Sequence, residues 1–274
     1  MKFLVSKRNY IILLVIVLLV IWILVNLLGK NEIFLKSFNS LDEPITIKVY
    51  DKINEDKVSN DIDKILKKFL QNKKNKELKE YGRILYAKSK GYVDITNTEL
   101  VKALRTGESY NFKTRINDDF DDYNFEMIKS SYAVSEICDY FKQNDIKRYI
   151  INEGGNVIAG EGYDGKYKVS LNKYDSQKIL NIVLLENKSL YTLNKSDEIE
   201  DYMVNPKTSK VSDNFDSVSV IANDNLTADM IVRTLFLMSE DEGKEFIKDY
   251  DAEALWQKDG KVTMSAGFKN YLEK

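Results

Sequence analysis

From Asn9 to Gly29 the chain carries no charge, and Tyr10 to Leu28 is almost wholly apolar, long enough to cross a hydrocarbon core of about 30 Å as a helix. Beyond it the pattern turns globular. Pro44 to Tyr50 alternates like a half-buried strand, and Ile62, Ile65, Leu66, Phe69 and Leu70 form one apolar stripe at helical spacing, with Ser59 placed to cap that helix. The basic run Lys73 to Lys79 ends it; with Glu77 inside and Glu80 just after, it reads as a solvated face. Tyr92 to Thr96 leads into a short helix near Thr98 to Arg105, and Met127 to Gln143 reads as a longer one carrying Ala133, Val134, Ile137, Cys138, Tyr140 and Phe141.

Strand patterns dominate the C-terminal half: Lys166 to Leu171, Ile179 to Leu185, Ser189 to Leu193, and Ser217 to Ile221. Asp164-Gly165 and Asp259-Gly260 each sit between alternating segments, which predicts hairpins there. Helices over about Thr227 to Ser239 and Glu242 to Tyr250 interrupt the strands. Runs of strands with intervening helices predict an α+β fold: a single domain of mainly antiparallel strands with packed helices, preceded by one N-terminal transmembrane helix.

Lys2, Lys7 and Arg8 precede the apolar span, so the positive-inside tendency places residues 1–9 in the cytoplasm, the anchor at 10–29, a stalk at 30–43 and an extracytoplasmic domain at 44–274. A cleaved signal peptide is the competing reading, but the run exceeds a usual signal core and no small-x-small site clearly follows it. The expected location is therefore the cell membrane, single-pass.

Composition narrows the chemistry. Lys plus Arg number 41 against 43 Asp plus Glu, so nothing suggests a nucleic-acid partner. The absence of histidine excludes a Ser-His-Asp triad, an HExxH zinc site and any imidazole base. Cys138 is the single cysteine, without an internal disulfide partner, and its apolar neighbours mark it as a small core residue. Asp118, Asp119, Asp121 and Asp122 form an acidic cluster that lacks the glycine and distal glutamate of a calcium loop.

The most informative stretch runs from Arg148 to Gly162. A β-branched strand enters the turn Glu153-Gly154-Gly155-Asn156 and a second strand leaves it, so backbone amides face outward at the turn. Such a turn can admit a phosphate group, and it can equally be an ordinary hairpin.

The order of segments resembles the ApbE-type FAD:protein FMN transferases. Gly91-Tyr92-Val93-Asp94-Ile95-Thr96 looks like that family's glycine-aromatic-x-Asp segment, and Ser130-Ser131-Tyr132-Ala133-Val134-Ser135 sits where it has Lys-Gly-Tyr-Ala-Val-Asp. Asn152 to Asn156 matches its Asn-x-Gly-Gly-Asn/Asp turn. Tyr202 to Ser209 lies over His-Ile-Ile-Asp-Pro-x-Thr-Gly, and Ala228-Asp229 with Leu235-Phe236 over its Ala-Asp-x-x-x-Thr-Ala-Leu-Phe helix. The resemblance implies FMN transfer from FAD to a Ser or Thr of an extracytoplasmic redox protein or membrane complex, releasing AMP with Mg2+ assistance. It implies that Asn152, Glu153, Gly154, Gly155, Asn156, Ser130, Tyr132 and Tyr202 bind the cofactor, that Asn205 and Thr208 lie near the transferred phosphate, and that Asp229 is the metal ligand.

Two departures weigh against unaltered chemistry. The family pairs Asp with Thr at i and i+4, whereas Asp229 meets Arg233 there and Thr234 comes one residue late, about 100° around the helix. An arginine ligates no magnesium and is expected to pair with Asp229. Tyr202 and Asn205 replace His and Asp, and Asn is no carboxylate base. The alternative reading is a catalytically degraded relative that binds flavin, nucleotide or a protein partner.

Overall fold

The computed structural model describes residues 33–39, 41, 44–70, 76–108, 123–174, 176 and 178–274. The expected span at 10–29, its cytoplasmic flank and the Asp118 to Asp122 cluster lie outside the described residues. Among the described residues, no helix is long and apolar enough to cross a membrane.

An eight-stranded antiparallel sheet organises the domain. Its strands are β1 (Phe34–Phe38), β2 (Ile45–Val49), β3 (Tyr149–Glu153), β4 (Asn156–Ala159), β7 (Lys188–Asn194), β10 (Ser217–Ala222), β11 (Glu253–Lys258) and β12 (Lys261–Met264), in that spatial order. The fold is α+β, as the strand runs predict. Alternation explains the outer strands: Ile45, Ile47 and Val49 point to the core while Thr46 and Lys48 do not. Central β10 is buried at every position, because both faces of the sheet are covered there.

Six helices are described, and all but the third, whose Leu100 and Val101 pack in a separate cluster with Val204, contribute to the core on one face of the sheet. These are α1 (Glu55–Leu70), α2 (Lys76–Lys88), α3 (Thr98–Thr106), α4 (Glu126–Gln143), α5 (Asn225–Leu237) and α6 (Glu240–Phe246). Helix α1 buries Val58, Ile62, Leu66 and Phe69 as one stripe. Helix α5 is apolar nearly all round, with Met230, Ile231, Val232, Leu235 and Phe236 buried, and it packs on β7, β10 and α4. The opposite face carries a second core of Val157, Leu171, Val183, Leu185, Leu255 and Phe268. A separate hairpin, β5 (Tyr167–Asn172) with β6 (Ile179–Leu185), covers it. A smaller hairpin pairs β8 (Val204–Asn205) with β9 (Lys210–Val211).

Four expectations need correction. Phe34 to Phe38, expected to be stalk, is an edge strand paired along its length with β2, and Phe34 and Phe38 enter the core. Ser59 does not cap α1, which begins at Glu55; the Lys57 amide donates to Asn54 Oδ1 at 3.0 Å one turn earlier. The basic run does present a solvated face, with Lys76, Glu77 and Glu80 exposed, but it opens a helix that the pattern did not predict, α2, whose Leu78, Tyr81 and Leu85 are buried. Asp164-Gly165 turns the chain without joining paired strands, since β4 pairs with β3 and β7 while β5 pairs with β6. Asp259-Gly260 does close a hairpin, between Lys258 and Lys261.

Candidate functional site

Glu153 and Asn156 close a two-residue turn between β3 and β4, with Gly154 at φ 53° and Gly155 at φ 95°. Two successive positive φ values are what glycine adopts without a Cβ penalty. Asn152 Oδ1 accepts the Gly155 amide at 3.0 Å, and Asn156 Oδ1 accepts the Thr192 amide at 3.0 Å, so both asparagines hold the turn against its own backbone and against β7. No atom lies within 4 Å of a Cβ built at Gly155. The turn therefore opens to space on its outer side.

That space is a cleft of about 900 Å³ between the central sheet and the β5–β6 hairpin, large enough for a dinucleotide-sized ligand. Gly154, Gly155, Lys173, Tyr174, Thr192 and Tyr202 contribute to its walls. Gln257 of β11 fastens the hairpin side: its Oε1 accepts the Tyr174 amide at 3.0 Å and its Nε2 donates to the Asn172 carbonyl at 3.1 Å. Tyr202 lies on the edge of the Phe236 ring, 5.5 Å between centroids, and its hydroxyl donates to the Asn194 carbonyl at 2.7 Å. Burial pushes the Tyr202 phenol up to about 12, so it is a hydrogen-bonding wall group rather than a base.

Behind the Gly-Gly turn lies a buried polar network. Glu153 is 5% exposed and accepts a hydrogen bond from the Tyr191 hydroxyl at 2.9 Å. Burial raises its carboxyl to about 7; the Ser130 and Tyr191 hydroxyls and Arg233 oppose the rise, and Asp229 adds to it. The Ser130 Oγ is buried nearby without completing a hydrogen bond. Asp229, 1% exposed on the first turns of α5, receives Arg233 Nε at 2.8 Å on Oδ1 and the Ser131 hydroxyl at 3.0 Å on Oδ2. Burial works against the Arg233 charge, but the Asp229 carboxylate outweighs it and holds the guanidinium protonated. Asp224 caps α5 through the Thr227 amide at 2.8 Å, and Asn225 Nδ2 donates to the Ser131 carbonyl at 2.6 Å, tying α5 to α4.

A third group surrounds the β8–β9 turn. Asn205 Oδ1 accepts the Lys207 amide at 2.9 Å and the Thr208 amide at 3.3 Å, so its side chain builds the turn. Thr208 is exposed. Lys207 Nζ stands 4.2 Å from the Tyr92 ring centroid, which joins this turn to the Gly91-to-Thr96 segment. Asp94 Oδ1 braces that segment by accepting the Thr96 amide and hydroxyl at 2.9 and 2.8 Å.

Residues 123–256 match the family model described as the ApbE family. That stretch, just under half of the chain, carries the similarity to the ApbE family. No curated protein sequence matches it. Similar solved structures include the flavin transferase ApbE from Vibrio cholerae, 16% identical with a TM-score of 0.70, covering 88% of this chain and 99% of that one. The apo flavinyl transferase ApbE of Pseudomonas stutzeri has 16% identity, a TM-score of 0.67, and coverage of 89% and 98%. The ApbE protein of Thermotoga maritima has 15% identity, a TM-score of 0.71, and coverage of 89% and 100%. Likeness at these identities establishes the fold.

Within this ApbE fold the residues singled out from sequence fall into separate surroundings. Gly154, Gly155 and Tyr202 line the cleft, while Glu153, Asp229 and the Ser130 hydroxyl are buried and form no part of its walls. Asn152 and Asn156 serve the turn's backbone. Tyr132 packs on Tyr81, with ring centroids 5.1 Å apart, and lines a different hollow beside Glu77 and Ile84. Asn205 and Thr208 belong to the β8–β9 turn. Sequence reasoning missed Tyr191, Asn225 and Gln257, each of which acts across strands or between layers without a local pattern to announce it.

A divalent metal of the kind the family implies does not fit the Asp229 position. Both carboxylate oxygens are engaged, and the Thr234 hydroxyl is turned inward to donate to the Met230 carbonyl at 2.7 Å. Among the described residues, no group of three or more His, Cys, Asp or Glu could hold a metal ion.

Proposed function

We propose that this ApbE-like protein binds FAD in the cleft beside Gly154 and Gly155 and transfers FMN to a Ser or Thr of a redox protein. In that reaction the acceptor hydroxyl oxygen attacks the FMN phosphorus, the anhydride bond to AMP breaks, and the hydroxyl proton leaves. The apolar span at 10–29 and its basic flank support an anchored protein whose domain and acceptor are extracytoplasmic. The single observation that carries the reading is the cleft: a dinucleotide-sized space walled by the family's Asn-x-Gly-Gly-Asn turn on an ApbE fold.

A second reading, flavin binding without transfer, is favoured by the side chains themselves. Asn205 is committed to its own turn, Tyr202 is too weak an acid to ionise near neutral pH, and Asp229 is committed to Arg233 and Ser131. Full-length protein in detergent, incubated with FAD, Mg2+ and a Ser/Thr acceptor peptide, decides between them by intact mass. A mass gain of one FMN on the peptide supports transfer. Bound FAD with an unmodified peptide leaves the binding module, and a protein indifferent to FAD defeats both. The Arg233→Thr, Asn205→Asp double variant then asks whether these two substitutions account for any missing transfer.

A further inference from the structure

We propose that Tyr174 is the platform on which the cleft stacks the isoalloxazine ring of its ligand, and that Gln257 is the positioning residue that holds this platform in place. The inference deepens the flavin-binding reading above and rests on it. Tyr174 lies two residues beyond the end of β5, in the loop that returns to β6, and it lines the cleft half-buried. A loop tyrosine that a ligand must first order costs affinity in lost side-chain and backbone freedom. Here the ordering precedes the ligand. Gln257 Oε1 accepts the Tyr174 amide while its Nε2 donates to the Asn172 carbonyl, and the Lys173 amide closes the loop on the Lys178 carbonyl at 3.0 Å. The Tyr174 hydroxyl donates to the Lys195 carbonyl at 3.2 Å, so the side chain is moored at both ends. Gln257 is itself 5% exposed, and its carbonyl accepts the Asp216 amide at 2.8 Å, which ties the loop to the central sheet.

Tyr202 repeats the arrangement one residue away. Its hydroxyl donates to the Asn194 carbonyl, so two cleft-lining tyrosines are moored to consecutive residues at the end of β7. A phenol has one proton to donate, and both are spent on backbone carbonyls. Neither tyrosine has a donor left for a phosphate; what they offer a ligand is ring surface. The Gly154-Gly155 turn, with no side chain in the way, is the part of the wall where a phosphate can come close. Fixed, electron-rich phenol faces suit a flat, electron-poor ring, and tyrosine supplies such a face at low entropic cost.

Full-length protein in detergent, titrated with FAD, riboflavin and ADP, tests the assignment. A phenol in face contact donates an electron to an excited flavin, so bound riboflavin is expected to lose most of its fluorescence; undimmed bound riboflavin overturns the inference. Tyr174→Leu is expected to weaken FAD and riboflavin at least about fivefold, the lower end of ring stacking, and to leave ADP unchanged. Tyr174→Phe keeps the ring and is expected to stay within about threefold of the unsubstituted protein. Unchanged riboflavin affinity in Tyr174→Leu, an equal loss for ADP, or a loss in Tyr174→Phe as large as in Tyr174→Leu overturns the stacking role. Gln257→Glu reproduces both hydrogen bonds only while its carboxyl is protonated, so riboflavin affinity in that variant should fall from about pH 5 to about pH 8 relative to the unsubstituted protein. Parallel profiles overturn the positioning role, and they decide the matter if Tyr174→Leu fails to fold. Unsubstituted protein that binds no FAD defeats the flavin reading and this inference with it, whereas FAD binding that these variants leave untouched defeats this inference alone.

Discussion

The Tyr191 hydroxyl donates to the Glu153 carboxyl across the sheet at 2.9 Å, with both residues closed off from water. Burial lifts the Glu153 carboxyl from 4.5 to about 7. The folded protein therefore holds a proton that the unfolded chain releases, and stability falls as pH rises from about 4.5 to about 7. Glu153→Gln removes that slope. Urea midpoints at pH 5 and pH 8 should show the variant gaining roughly 2 to 3 kcal/mol relative to the unsubstituted protein between the two conditions. A constant difference at both pH values would contradict the assigned burial of charge.

Asp229→Asn leaves the Arg233 guanidinium sheltered without its counter-charge. Breaking a buried pair from one side costs about 3 kcal/mol or more, whereas replacing both partners costs less. Denaturant unfolding of Asp229→Asn, Arg233→Met and the double variant should therefore be non-additive, with the double variant more stable than the sum of the singles implies.

Gly155→Val tests the turn. Its φ of 95° is hostile to a β-branched residue, while the open space around a Cβ there removes any steric contribution from neighbours. A loss of about 1 to 3 kcal/mol is expected from backbone strain. Thermal unfolding reads that loss, and a parallel fall in FAD affinity would place the turn against the ligand; unchanged affinity in a folded variant would remove the turn from the binding surface.

Cys138 should be inert. Burial pushes its thiol up to about 12, with Tyr149 opposing the rise through a hydrogen bond. A disulfide-exchange reagent at pH 8 is expected to modify it only after denaturation, and rapid labelling of the native protein would show that the helix face carrying it opens.

Local periodicity made much of this architecture legible. Alternation marked β2, β5, β6, β7 and β10, and helical spacing marked α1, α4 and α5, because each pattern is written within one element. The Asp229–Arg233 pair was legible for the same reason, being one helical turn apart. Partners across the sheet were not. Glu153 reads as a polar turn residue until Tyr191 of a distant strand encloses it, and Asp164-Gly165 announces a turn without saying which strands will pair. Phe34 to Phe38 escaped notice because Lys36 and Ser37 dilute its apolar pattern, and its strand character depends on β2 lying alongside.

That edge strand also sets a tether. With β1 beginning at Phe34 and the apolar span of the sequence closing at Gly29, only Lys30 to Ile33 join them, a reach of about 14 Å even when fully extended. In the anchored arrangement proposed above, the domain is leashed to the bilayer by its own sheet rather than carried out on a stalk.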